Sequence, residues 1–212
     1  MDGPSGVGKS TVTRRVAAAR GVDYLDTGSM YRAATVAALR AGVPLDDPVA
    51  VTDVIERSDI RYVDGVILLN GEDVSDDVRT DEVTGAVSAV SAIPAVRHRL
   101  VEFQRAWVTE RGGNAVVEGR DIGTVVFPDA PAKIFLTARP EVRSARRAGD
   151  AEAANLSAET IETKMRERDR QDSTRAVSPL AAADDAIIID TSDLSLGEVV
   201  ESVLEVVAHA RC

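Results

Sequence analysis

The sequence predicts an α/β fold built on a mostly parallel sheet, and three observations carry that expectation. Short apolar runs at 115–118, 133–137 and 186–190 suit strands buried on both faces. Each run is followed by a polar or glycine-containing turn and then by helical sequence, the alternation of a doubly wound sheet. A glycine-rich stretch at 3–10 opens directly into a helical segment, as a phosphate-binding loop does.

Taken along the chain, residues 9–20 read as a helix rich in Ala and Arg, with Gly21 past its end. Residues 22–25 read as a short strand. Residues 29–41 form the next helix; Asp26 or Thr27 can cap it, and Gly42 and Pro44 stop it. Residues 43–83 change character. The runs 60–63 and 66–69 flank Asp64-Gly65, a hairpin signal, and Leu69-Asn70-Gly71 offers a second turn. This stretch reads as a small antiparallel insertion carrying little chemistry. Residues 81–111 are helical with a break near Pro94, and 139–180 are charged, arginine-heavy and mostly helical, interrupted at Gly149 and Pro179. The end, 196–210, is an amphipathic helix.

Bulk composition excludes several classes of function. A chain of 212 residues suits one globular domain with insertions or lids. Hydrophobic residues at 44% support a core, and aromatics at 3% make that core aliphatic. They also leave few platforms on which single-stranded nucleic acid could stack. A net charge of −10 makes a poor non-specific partner for nucleic acid or an anionic membrane. Any phosphate must therefore be held by a local cationic site. The single cysteine, Cys212, rules out an intramolecular disulfide and a thiolate metal site, and His98 and His209 fall in no ligand pattern. No stretch approaches the roughly 18 apolar residues of a membrane span, and no leader precedes the first motif. The expectation is a cytoplasmic protein, with a monomer as the default. Of the 25 basic residues, 22 are arginine, which makes Lys9 stand out.

Gly3-Pro4-Ser5-Gly6-Val7-Gly8-Lys9-Ser10, followed by Thr11, fits G-x-x-x-x-G-K-[ST]. Glycines let successive backbone N–H groups converge on phosphate oxygens, and the helix start adds its positive end. Lys9 can reach the β- and γ-phosphates, and Ser10 can ligate Mg²⁺. A strand should precede such a loop, yet only Met1 and Asp2 do. The expectation is that the numbering begins inside a longer natural chain.

Three further clusters bear on what receives a phosphate. Asp26-Thr27-Gly28-Ser29-Met30-Tyr31-Arg32 follows a strand end and opens a helix; Arg32 is either a bidentate phosphate partner or a surface arginine on a capped helix. Glu118-Gly119-Arg120-Asp121-Ile122-Gly123 lies past a strand's C-terminal end, where open α/β sheets place ligands. Arg120 and Asp121 can also be a plain surface pair, and Glu118 can organise Mg²⁺ directly or through water. Arg168-Asp169-Arg170-Gln171-Asp172-Ser173-Thr174-Arg175 puts 168, 172 and 175 on one helical face. That pattern is either a solvated ion-pair ladder or, with Arg143, Arg146 and Arg147 upstream, a lid that closes over phosphates.

Together these clusters resemble bacterial cytidylate kinases, from Asp2 to about residue 205. The run from Glu118 to Pro131 is the most family-specific. The resemblance implies a P-loop-type parallel five-stranded sheet of order 2-3-1-4-5 flanked by helices. It implies a single kinase domain over 1–212, with a core (1–42, 84–138, 180–212), a monophosphate-binding insertion (43–83) and a helical lid (139–179). It implies ATP- and Mg²⁺-dependent phosphorylation of CMP or dCMP, and no nucleic-acid polymer or membrane as partner. It assigns Ser88, Arg97 and Asp121 to the cytosine, Arg32, Arg120 and Arg175 to the acceptor phosphate, and Arg168 and Asp172 to the ribose. Thr27 and Tyr31 line the acceptor site. Residues 3–11 with Arg143, Arg146 and Arg147 take ATP, and Lys9, Arg120 and Arg175 are catalytic. Some relatives carry Asp where Glu118 stands. Two rivals remain at this level: another P-loop small-molecule kinase, for UMP, AMP, shikimate or a coenzyme precursor, and a nucleotide-binding module without activity.

Overall fold

A computed structural model describes residues 1–149 and 157–210. Residues 150–156 of the expected lid, and Cys212, lie outside them. The chain runs α1 (Lys9–Arg20), β1 (Asp23–Asp26), α2 (Thr27–Arg40), α3 (Pro48–Glu56), β2 (Ile60–Val63), β3 (Val66–Leu69) and β4 (Glu72–Asp73). It continues through α4 (Asp81–Ala92), α5 (Pro94–Glu110), β5 (Ala115–Glu118), β6 (Ile134–Thr137), α6 (Pro140–Ala148), α7 (Ala158–Thr174), β7 (Ile187–Asp190) and α8 (Leu196–His209). It divides into two compact units, one of residues 1–24 and 114–212, the other of 25–113.

In the first unit, β6 and β7 pair in parallel from Ile134 opposite Ile187 to Thr137 opposite Asp190. Asp2 makes parallel bridges to Gly119, just past β5, and to Phe135 in β6. Its N–H donates to Ile134 O at 2.8 Å, and its carbonyl accepts from Leu136 N at 2.8 Å. β1 pairs with β5. Val7, Val12 and Val16 join Ile134, Leu136, Ile189, Val199 and Val203 in an aliphatic core, as the low aromatic content requires. α8 starts on a capping box: Ser195 Oγ accepts from Glu198 N, and the Glu198 carboxylate accepts from Ser195 N at 2.8 Å.

Gly3 is where the loop meets the sheet. Its φ is +148°, and a Cβ there would lie 2.2 Å from Leu136 O. Gly3→Ala is expected to lower the unfolding free energy by at least about 2 kcal/mol. The check is the denaturant midpoint at unchanged slope; an unmoved midpoint contradicts this packing.

In the second unit, α2 is almost entirely buried, from Met30 to Ala38 with the exception of Arg32. Asp26 caps it, accepting from Ser29 N at 3.2 Å and Ser29 Oγ at 2.7 Å. The expected hairpin is present: Val63 pairs with Val66 across Asp64-Gly65, both at positive φ (51° and 84°). The second turn, at Asn70-Gly71, leads into the two-residue β4. The insertion also contains α3, which the sequence reading passed over. Asp47 accepts from Val49 N and Ala50 N, Pro48 takes the first helical position, and Val51 and Ile55 are buried one turn apart. Trp107 of α5 donates to Tyr62 O at 2.7 Å, meets the Tyr62 ring edge-on at 6.2 Å, and carries the Arg111 guanidinium 3.7 Å from its own ring.

Candidate active site

The phosphate loop of the first unit is built from both its glycines and its contacts. Gly8, at φ 92°, delivers the chain into α1. Gly6 is hemmed in: a Cβ there would meet Met165 Cε at 2.7 Å and Arg143 O at 2.8 Å. Helices α6 and α7 therefore lie against the loop. Val7 points into the core, so only its backbone can serve a ligand. Ser10 and Thr11 sit in the first turn of α1.

Lys9 folds back over the loop, where Nζ donates to Gly3 O at 2.8 Å and Pro4 O at 2.7 Å. Burial, and next the Arg120 guanidinium, push its ammonium down to about 7; Arg168 acts in the same direction, while Glu118 and Asp2 oppose it. Lys9 thus sits among residues drawn from three separate stretches of the sequence.

Arg120 joins the loop to a buried charged cluster. Its NH1 donates to Gly3 O at 2.5 Å, and its Nε to Asp172 Oδ2 at 2.9 Å. Asp172 also faces Arg175 at 3.8 Å, and Arg175 faces Asp121 at 3.9 Å. All four side chains are largely withdrawn from water, with 15% of Arg120 and 5–7% of the others exposed. Two arginines and two aspartates balance there, so this is neither a surface pair nor a solvated ladder. One correction applies. Arg175 lies beyond the end of α7, in extended backbone, so helical spacing does not place it. A turn does: its Nε donates to Ser178 O, and Ser178 itself holds φ at 53°. Glu118 is buried, as is Asp2, whose carboxylate accepts from Ile122 N and Gly123 N at 2.8 Å each. Those amides begin a single π-turn, Ile122–Val126, right after Asp121. Asp2 thus fixes the backbone beside Asp121 across 120 residues of sequence, a role the motif reading did not identify.

On α6, Arg143 donates to Ser5 O at 3.1 Å and pairs with Asp169. Arg146 donates to Thr191 Oγ1 at 2.8 Å and Thr191 O at 2.7 Å. Arg147 is half-buried on the same helix, and Arg168 is half-buried on α7.

The second unit assembles its own group. Arg97, 2% exposed, lies 5.0 Å from the Tyr31 ring centre and donates to Ser91 O at 3.2 Å. Ser88 sits one turn before Ser91, its carbonyl accepting from Ser91 Oγ. Arg32 donates to Val78 O at 2.8 Å and Thr84 Oγ1 at 2.9 Å, and Thr27 is buried. Tyr31 and Arg97 are thus brought together, with Ser88 reached only through Ser91, while Arg32 is held toward α4.

Among the described residues, no group of three or more His, Cys, Asp or Glu could hold a metal, and no helix is long and apolar enough to cross a membrane.

The cytidylate kinase family model matches residues 1–209. A cytidylate kinase of Mycobacterium leprae is 52% identical over 98% of this chain and 93% of its own. One of Streptomyces avermitilis is 48% identical over 100% of this chain and 92% of its own. Among solved structures, an uncharacterized protein of Eubacterium ventriosum shares the fold at a TM-score of 0.50 and 12% identity, covering 96% of this chain and 93% of that one. On the family match and these identities, the chain belongs to the cytidylate kinase family.

Proposed function

We propose that this protein transfers the γ-phosphate of ATP, with Mg²⁺, to CMP or dCMP, giving CDP or dCDP. The observation that carries the reading is Arg120, which touches the phosphate loop at Gly3 O and the buried Asp172–Arg175–Asp121 cluster at once. A donor loop and an acceptor cluster are therefore linked through one guanidinium. Phosphoryl transfer asks for alignment and charge neutralisation more than covalent chemistry. Lys9, Arg120 and Arg175 supply the positive charge. The loop amides and Arg143, Arg146 and Arg147 take the ATP phosphates and nucleotide. The acceptor is already an anion, so no strong base is needed. Mg²⁺ neutralises the β- and γ-oxygens when bound. Ser10 would be the protein ligand of that ion, with phosphates and water as its other partners.

For the acceptor, Arg32, Arg120 and Arg175 hold its phosphate, Arg168 and Asp172 its ribose, and Thr27 and Tyr31 line its site. Asp121 accepts from the cytosine amine, and Arg97 with Ser88 serves the N3 and O2 edge. Uracil would set its O4 against the Asp121 carboxylate, which disfavours it. The accompanying fold is one kinase domain in the cytoplasm, a monomer, with insertion 43–83 and lid 139–179. Its sheet takes the order 2-3-1-4-5 with Met1-Asp2 in the central place; the Asp2 bridges to Gly119 and Phe135 support that order.

The test is ADP release with ATP and Mg²⁺ across CMP, dCMP, UMP, AMP and shikimate. CMP or dCMP should turn over fastest. A tenfold preference for another acceptor overturns the reading, as does nucleotide binding with no transfer. Asp121→Ala should weaken CMP binding at least tenfold more than ATP binding by calorimetry; equal losses count against base reading.

A further inference from the structure

The loop that is read above as the ATP site already touches a carboxylate of its own chain. Asp169, on α7, accepts a hydrogen bond from Ser5 N at 3.2 Å and pairs through its other oxygen with Arg143. Arg143 in turn donates to Ser5 O at 3.1 Å. Asp169 and Arg143 are 16% and 13% exposed, so the pair is largely screened from solvent. Met165, one turn earlier on α7, reaches the edge of Gly6 and keeps this helix against the loop.

We infer that Asp169 is an internal competitor of the triphosphate: it occupies a loop amide and a lid arginine that an incoming phosphate chain requires. The inference rests on the reading of residues 3–10 as the ATP loop. The physics is direct. A loop amide turned toward a carboxylate is not available to a phosphate oxygen, and two anions on one small nest repel. Arg143 is the natural cation for the polyphosphate, yet it is committed to Asp169. Triphosphate binding must therefore transfer Ser5 N–H and Arg143 from one anion to another. That exchange weakens ATP binding and makes lid rearrangement a condition of it. It also keeps a charged arginine and a polar amide satisfied whenever nucleotide is gone.

Asp169→Asn keeps the shape and an acceptor oxygen but removes the charge. It is expected to bind MgATP about three- to tenfold more tightly than wild type by calorimetry, and inorganic tripolyphosphate likewise, with the gain shrinking at high salt. A merely structural role predicts the reverse, since a damaged site binds less. Asp169→Ser provides the same comparison if the Asn variant fails to fold. Wild type that binds neither probe removes the ATP-loop reading and this inference with it. Wild type that binds both, with variants equal or weaker, overturns the inference alone.

Discussion

Lys9→Met should reduce turnover by about 10²–10³-fold, the usual cost of removing one preorganised charge from a phosphoryl-transfer site. The same substitution should change how stability responds to pH. In the folded protein without nucleotide, burial and Arg120 hold the Lys9 ammonium at about 7, against an ordinary value of 10.5. The unfolded chain therefore binds more protons between those two values, and stability attributable to Lys9 rises with pH across that window. Below about 7 the disadvantage is fully present. Lys9→Met removes the titration, so its stability relative to wild type should be greatest near pH 6.5 and decline as pH climbs toward 9.5. Denaturant midpoints at several pH values read this. A relative stability that is flat with pH would contradict the depressed lysine, and unchanged turnover would contradict its role. A residue that destabilises the resting protein while serving the reaction is the expected signature of a functional position.

Arg120→Ala should lower turnover at least about tenfold at saturating CMP and ATP. Arg120 contacts both the glycine-rich loop, at Gly3 O, and the buried Asp172. Its loss removes a cation from the developing charge and leaves the buried Asp172 to the looser Arg175 contact at 3.8 Å. Some stability should be lost too, so circular dichroism must accompany the kinetics. Arg120→Lys separates the effects: charge is kept, but a lysine cannot span Gly3 O and Asp172 together with a planar fork. It should fold like wild type and remain well below it in rate. Wild-type rates in both variants would reject the clamp.

Much of this was legible in the sequence because the signals were local. The loop, the Asp26 cap, the Asp64-Gly65 hairpin and the break at Pro94 each depend on a few adjacent residues. α3 had a signal as well, Asp47-Pro48 with apolar positions four apart, obscured by the hairpin that follows. Other features had none. The π-turn at Ile122–Val126 is stabilised by a carboxylate 120 residues away, so no window of sequence could reveal it. Arg175 was placed by a helical spacing that ends one residue too soon, at Thr174. Its actual position depends on the Ser178 turn. Asp169 looked like one more acid in an alternating run, and only the packing of α7 on the loop distinguishes it from Arg170, which faces out and pairs with Glu167 at 2.7 Å.

The Trp107–Tyr62–Arg111 stack gives the molecule a private optical label. The chain has one tryptophan, and its partners Tyr62 and Arg111 both belong to the second unit. Its emission therefore follows the melting of residues 25–113. Far-ultraviolet dichroism follows both, so a gap between the two curves would measure how independently the halves come apart.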